Sequence, residues 1–359
     1  MNTVPNEQGT NAGASRRQIL RAGAGLAATG ALGLAGVVAG AGPAFAALPA
    51  SSRFVLGGDG GNPVWRAALY QPSWAMQSFA YDNVNGHIYA AQHRPGDNPS
   101  SDPSALGDIW ISKTDLSGNV LGTMALHNFG HGSSMAVEPS GSGDPYLWIE
   151  ADNKIGGNDY NDAGHKLARF RFTDGLTLEY YDPSITVYDR TPTISSYVKL
   201  PRPAIDPVNN RLLIRYATSA TESRQWRIAV FSLADAAAGR LADADRLAER
   251  ALPNNSDLGL SDADSFQGIT LYGQYVYLLY GRPNGPSYLV TLDMNATGGS
   301  YTEVFQTTAG ASIPGREPQG AAIWVYGGQP RLAFGFSGKT GTTTDPTFDA
   351  SIFYKSQLT

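Results

Sequence analysis

The sequence predicts an all-β fold, a five-bladed β-propeller preceded by a cleavable signal peptide. Three observations carry that reading. Glycine and proline supply 64 of 359 residues, which calls for many tight turns. Charged residues make up only 16 %, below the usual value of about a quarter, so much of each strand is available for burial. Most decisively, one pattern recurs: a small-residue segment, a tight turn, then a run rich in β-branched and aromatic residues.

The first element is the leader, residues 1–46. Ser15-Arg16-Arg17-Gln18-Ile19-Leu20 pairs two arginines ahead of an apolar stretch from Ala22 to Ala41. That is the layout of a twin-arginine export signal. The stretch consists mainly of Ala, Gly, Leu and Val, too mildly apolar for a permanent span of about 20 strongly apolar residues. Ala44-Phe45-Ala46 places small residues at a signal peptidase site. Cleavage there removes Arg16, Arg17, Arg21 and Glu7, leaving 23 basic against 30 acidic side chains and a net charge of −7. The expected product is secreted, extracellular or wall-associated, with no membrane span after signal cleavage. Its acidity argues against nucleic acid as a partner, since phosphate binding needs concentrated Lys and Arg. No cysteine is present, which removes thiol catalysis and thiolate metal centres.

Residues 47–70 read as an N-terminal lead-in, and 71–359 as the propeller. Five units follow in order. Met76–Asp82 precedes the Asn85-Gly86 turn and the strand at 86–91, and Ser133–Glu138 precedes the strand at 146–149. Arg202–Asp206 precedes Asn209-Asn210 and 211–216; Phe266–Thr270 precedes Gly273 and 275–280; Pro318–Ile323 precedes Gly327-Gly328 and 331–336. Taking Ala80, Ala136, Ala204, Thr270 and Ala322 as equivalent gives steps of 56, 68, 66 and 52 residues. Repeats that cannot bury their faces alone, set radially, make a propeller; a β-sandwich with coincidental hairpins is the competing fold. Leu233–Leu252, with its Ala, Asp, Arg and Leu content, reads instead as a short helix in a loop.

The recurring small residues suit strands crowded at an axis, and polar side chains recur beside them. Gln77, His131, Lys199, Arg202, Gln267, Arg316 and Gln319 are the expected ligand-binding set at the channel mouth. Amide and imidazole groups bond sugar hydroxyls, and Arg or Lys holds a carboxylate or phosphate. If the protein is an enzyme, His131 and His93 are the candidate acid and base. The histidines lack His-Glu-x-x-His spacing, so no metal and no cofactor is expected. Glu150–Asp162 holds many acidic residues but lacks calcium-loop spacing, and reads as a solvated connection.

Gln77-Ser78-Phe79-Ala80-Tyr81-Asp82, Phe129-Gly130-His131-Gly132, Leu167-Ala168-Arg169-Phe170 and Ser265-Phe266-Gln267-Gly268 carry a resemblance. Over most of residues 70–355 the chain resembles the teichoic acid biosynthesis protein C family. That family's propeller is shared with receptor-binding proteins of staphylococcal phages and with helveticin-type bacteriocins. The resemblance implies a five-bladed propeller associated with cell-wall glycans or teichoic acid, and it brings no catalytic residues with it. The expected function is therefore a monomer binding a glycan or cell-wall polymer at its channel mouth. The alternatives are a polysaccharide lyase or glycoside hydrolase, using Arg202 or Arg316 to neutralise an acidic sugar, and a protein-binding module.

Overall fold

The computed structural model describes residues 47–93, 107–153, 163–180, 188–189, 199–218, 225–342 and 344–359. The leader and residues 154–162 of the acidic segment lie outside them.

The chain opens with β1 (Gly60–Ala67) and then builds a first blade from β2 (Met76–Asp82), β3 (His87–His93), β4 (Ile109–Thr114) and β5 (Val120–His127). The second blade holds β6 (Met135–Ser140), β7 (Gly143–Asn153) and β8 (Gly164–Arg171). After it, β9 (Thr177–Glu179) returns to pair in parallel with β5, and β10 (Tyr188–Asp189) completes the second blade beside β8. The third blade is β11 (Lys199–Asp206), β12 (Arg211–Ala217), β13 (Trp226–Ser232) and β14 (Arg246–Ala251). The fourth is β15 (Ser265–Tyr272), β16 (Tyr275–Gly281), β17 (Ser287–Asp293) and β18 (Glu303–Thr307). The last is β19 (Glu317–Tyr326), β20 (Gln329–Gly341) and β21 (Pro346–Lys355), with β1 as its outer strand.

The five expected small-residue segments are the five innermost strands. β2 packs on β6, β6 on β11, β11 on β15, β15 on β19, and β19 back on β2, which closes a ring. Ala80, Ala136, Ala204, Thr270 and Ala322 all line one axial constriction of about 20 Å³, room for about one water. The sequence alignment of these five positions is thus a spatial equivalence. Larger side chains here would collide across the axis.

Both faces of each blade are apolar because each faces a neighbouring blade. Tyr89, Ile111, Val137 and Leu147 pack between the first and second blades, and Ile205, Leu212 and Trp148 between the second and third. Leu213, Val230, Ile269 and Leu278 fill the next gap; Leu279, Leu289, Ile323 and Leu332 the one after. Phe79, Ile88, Ala333 and Ile352 close the ring between the fifth and first blades.

The hairpins away from the mouth clasp the blades together. Asp82 accepts the Val84 and Asn85 N–H groups, and the Asn85 amide donates to Asp82 and to the Gly141 carbonyl of the next blade at 3.0 Å. Asp206 repeats the device, accepting the Val208 and Asn209 N–H groups and that of Gly273 in the next blade at 2.8 Å. Asp-x-x-Asn is therefore both turn and clasp.

Three expectations change. The segment 47–70 is part of the propeller: β1 pairs with β21, and Phe54, fully buried, packs on Tyr272 and Tyr277. Helix in 233–252 is confined to α1 (Leu233–Ala237), capped by Ser232, apart from a single 3-10 turn at Asp243–Asp245. Arg246–Ala251 pairs with β13, because an outer strand's place in a sheet outweighs local helix preference. Finally, Glu150–Asn153 is strand, and Glu150 is fully buried rather than solvated.

Candidate functional site

A basin of about 880 Å³ opens at the mouth where the inner strands begin. Every blade contributes to it: Gln77 from the first, His131 and Ser133 just before β6, Arg202 from β11, Gln267 from β15, and Glu317 with Gln319 from β19.

Backbone irregularities explain why these side chains reach the basin. Met76 opposes Gln92 and Ser78 opposes Ala91, so Gln77 is an extra residue in β2. Gln267 is extra in the same way, lying between Phe266 opposite Tyr280 and Gly268 opposite Leu279. In β19 the shift falls between Pro318 and Ala321 and takes in Gln319; in β11 it falls between Lys199 and Arg202. A bulge breaks the in–out alternation and re-aims the side chain it carries. The recurring glutamines are thus products of one recurring bulge.

His131 is set by the glycines around it. Gly130 has φ of 152°, and a Cβ there would lie 2.5 Å from the Gly164 nitrogen. The His131 imidazole donates from Nε2 to the Gln77 Oε1 at 2.8 Å, and stacks on His93 at 4.5 Å between ring centres. His93 is buried behind it and is not part of the basin wall.

Arg202 is tied down by an unexpected partner. Its guanidinium pairs with Glu150, which also accepts the Gly132 N–H at 2.7 Å and the Gly164 N–H at 2.6 Å. Two backbone donors and a cation satisfy a wholly buried carboxylate. Opposite Arg202 in the ladder stands Arg215, clamped between Trp226 and Phe266 with its carbon 3.5 and 3.9 Å from their ring centres. Both rings and Tyr280 belong to the basin wall.

The acidic side of the wall is Asp262, Asp264 and Glu317. Asp264 pairs with Arg282 at 2.8 Å. Burial pushes the Glu317 carboxyl above its usual range, only partly offset by a hydrogen bond from Gln319 and by the charges of His131 and Lys339.

Of the expected set, Gln77, His131, Arg202, Gln267 and Gln319 converge on this wall. Lys199 begins β11, opposite Ala217, and its side chain lies outside the described residues. Arg316 is not part of the wall. Its guanidinium donates to the Ala309, Gly285 and Thr307 carbonyls and stacks on Phe336, which makes it a backbone tie. Sequence reasoning missed Arg215, Trp226, Tyr280 and Asp264. The first three sit on second and third strands, where they read as ordinary strand residues. Among the described residues no three His, Asp or Glu side chains converge as metal ligands.

Fold and mouth together define a five-bladed β-propeller with a polar basin at one end. The chain belongs to the family described as the phage 5-bladed beta propeller receptor binding platform domain, which matches residues 75–326. Among solved structures it is similar to the tail fiber of Staphylococcus aureus phage P68, with 18 % identity and a TM-score of 0.61. That likeness covers 84 % of this chain and 53 % of the tail fiber, so the chain spans about half of that protein's length. Looser likenesses reach the α-L-arabinofuranosidase PaAbf62A of Podospora anserina, at 10 % identity and a TM-score of 0.45 over 84 % of this chain and 97 % of that one. Another is to a family 117 glycoside hydrolase, Zg3597, of Zobellia galactanivorans, at 12 % identity and a TM-score of 0.42 over 83 % and 90 %. At such scores neither informs the chemistry of this site. No curated protein matches the chain.

Proposed function

We propose that this protein is exported through its twin-arginine leader and binds a cell-envelope or extracellular glycan at the mouth of its propeller, without turning it over. The observation that carries the reading is the convergence of three bulge glutamines, Gln77, Gln267 and Gln319, from three blades on one basin that also holds Trp226 and Phe266. Amides both donate to and accept from hydroxyls, and aromatic faces suit the C–H faces of sugar rings. A basin of about 880 Å³ has room for a short oligosaccharide. Membership of a receptor-binding family supports recognition over catalysis, and the resemblance to teichoic acid and bacteriocin propellers puts wall polymers among the candidates.

The enzymatic reading draws on one observation, the Glu317 carboxyl held towards its protonated form beside His131, as a general acid would be. Incubating the mature protein with wall and plant polysaccharides separates the two. Retention without new reducing ends or unsaturated products is the expected result. Product formation that is lost in Glu317→Gln or His131→Ala would replace binding by turnover.

A further inference from the structure

Over the third blade the basin runs from the innermost strand to the outermost. Arg202 stands on β11, Arg215 opposite it on β12, and Trp226 on β13, which pairs with β12. Leu252 and Pro253 follow β14, and the Leu252 N–H donates to the Trp226 carbonyl. All four strands meet the basin at their mouth-side ends. Neighbouring strands lie about 4.8 Å apart, so the wall extends about 14 Å outward from the axis. We infer that the mouth takes an oligosaccharide laid radially, with one sugar at the axis and the next ones crossing the top of the third blade beside the fourth. This rests on the mouth being the glycan site.

The lining changes along that path. At the axis stand Gln77, His131 and Gln267, all part-exposed, whose amides and imidazole bond sugar hydroxyls. Beyond Arg202, the Arg215 guanidinium spaces the part-exposed rings of Trp226 and Phe266, and Tyr280 meets Phe266 edge-on at 6.1 Å between ring centres. Ring surface of that kind carries the C–H faces of successive sugars. Leu252 and Pro253 continue the apolar lining to the outer strand.

A single sugar leaves most of a basin of about 880 Å³ unfilled. Nor can a chain that reaches the axis continue down the channel, which narrows to about 20 Å³ between the five inner strands. Its length therefore lies across the top of the molecule, and the third blade supplies ring surface there.

The test is calorimetric titration of the mature protein with size-fractionated fragments, from one sugar unit upward. They are cut by partial acid hydrolysis from whichever it retains best among dextran, mannan, galactan, xylan and purified wall polysaccharide. Affinity should rise about tenfold from one unit to about three and then level off. Trp226→Ala should remove that rise and leave the single-unit affinity, whereas Gln77→Ala should weaken every length about tenfold. Asn254→Trp, at an exposed wall position beyond Pro253, should obstruct only the longer fragments, and it keeps the test intact if Trp226→Ala lowers the thermal midpoint. Affinity complete at one unit, indifferent to Trp226→Ala and Asn254→Trp but weakened by Gln77→Ala, overturns the radial path and leaves the mouth as the site. A rise with length that survives both Trp226→Ala and Asn254→Trp also overturns the path. Binding that ignores all three variants at every length, or retention of no polysaccharide, overturns the mouth as the glycan site and this inference with it.

Discussion

Glu150 and Glu317 are two carboxyls near the same mouth, and their surroundings treat them differently. Glu150 is wholly buried but receives two backbone N–H groups and the Arg202 guanidinium, so its charge is compensated. Deleting one member of such a pair strands the other. Glu150→Ala and Arg202→Ala should each lose about 3–5 kcal/mol in denaturant unfolding. If Arg202→Ala leaves the unfolding midpoint untouched, the pair does not hold the mouth as described. Glu317 lacks that compensation, and burial raises its pKa above the ordinary 4.5. Below pH 4.5 both folded and unfolded states are protonated and burial costs nothing. As pH rises from there through the folded value the folded state loses stability, and above that value the loss is complete. Glu317→Gln should therefore be more stable than the parent at neutral pH, with the advantage vanishing below about 4.5, as melting curves across pH would show. The sequence showed both carboxylates but not what surrounds them. Glu150 sits among Asp152, Asp159 and Asp162, which suggests a solvated run, whereas its cation lies 52 residues onward on another blade.

Among the elements, the inner strands were the most legible. Small residues before an Asn-Gly or Gly-containing turn are a local pattern, and crowding at an axis is its physical cause. Ala136→Leu and Ala204→Leu should each cost about 1–3 kcal/mol by overpacking the constriction. Val84→Leu, at a hairpin tip where Val84 is 62 % exposed, should be nearly silent. Equal thermal midpoints for all three variants would dissolve the five-fold equivalence. The bulges were not legible, because a bulge is a mismatch between two strands and neither shows it alone. That is why the recurrence of Gln77, Gln267 and Gln319 could be seen in the sequence while its mechanism could not. The outer strands were least legible. β14 has the composition of a helix, and pairing with β13 alone makes it a strand.

At the scale of the whole molecule, the ring is closed by chain ends that the sequence placed apart. β1 fills the outer edge of the fifth blade, and Phe54 pins the preceding segment beneath Tyr277, whose hydroxyl accepts the Phe54 N–H at 2.8 Å. Nothing local in residues 47–70 announces this, since the partner strand β21 begins at Pro346. Closure also sets the mouth, because five inner strands must start together to surround one basin. Export is the molecule's other large-scale expectation: replacing Arg16 and Arg17 by Lys should leave unprocessed precursor in the cytoplasm. Normal secretion of that variant would contradict it. The central claim, that the ligand seats at the mouth, is tested most directly by hydrogen–deuterium exchange of the mature protein with and without its best-retained polysaccharide. Protection should gather at the inner-strand starts, around Gln77, Ser133, Arg202, Gln267 and Gln319, on all five blades. Protection gathered instead at the opposite hairpins, around Val84, Val208 and Gly327, would contradict the account.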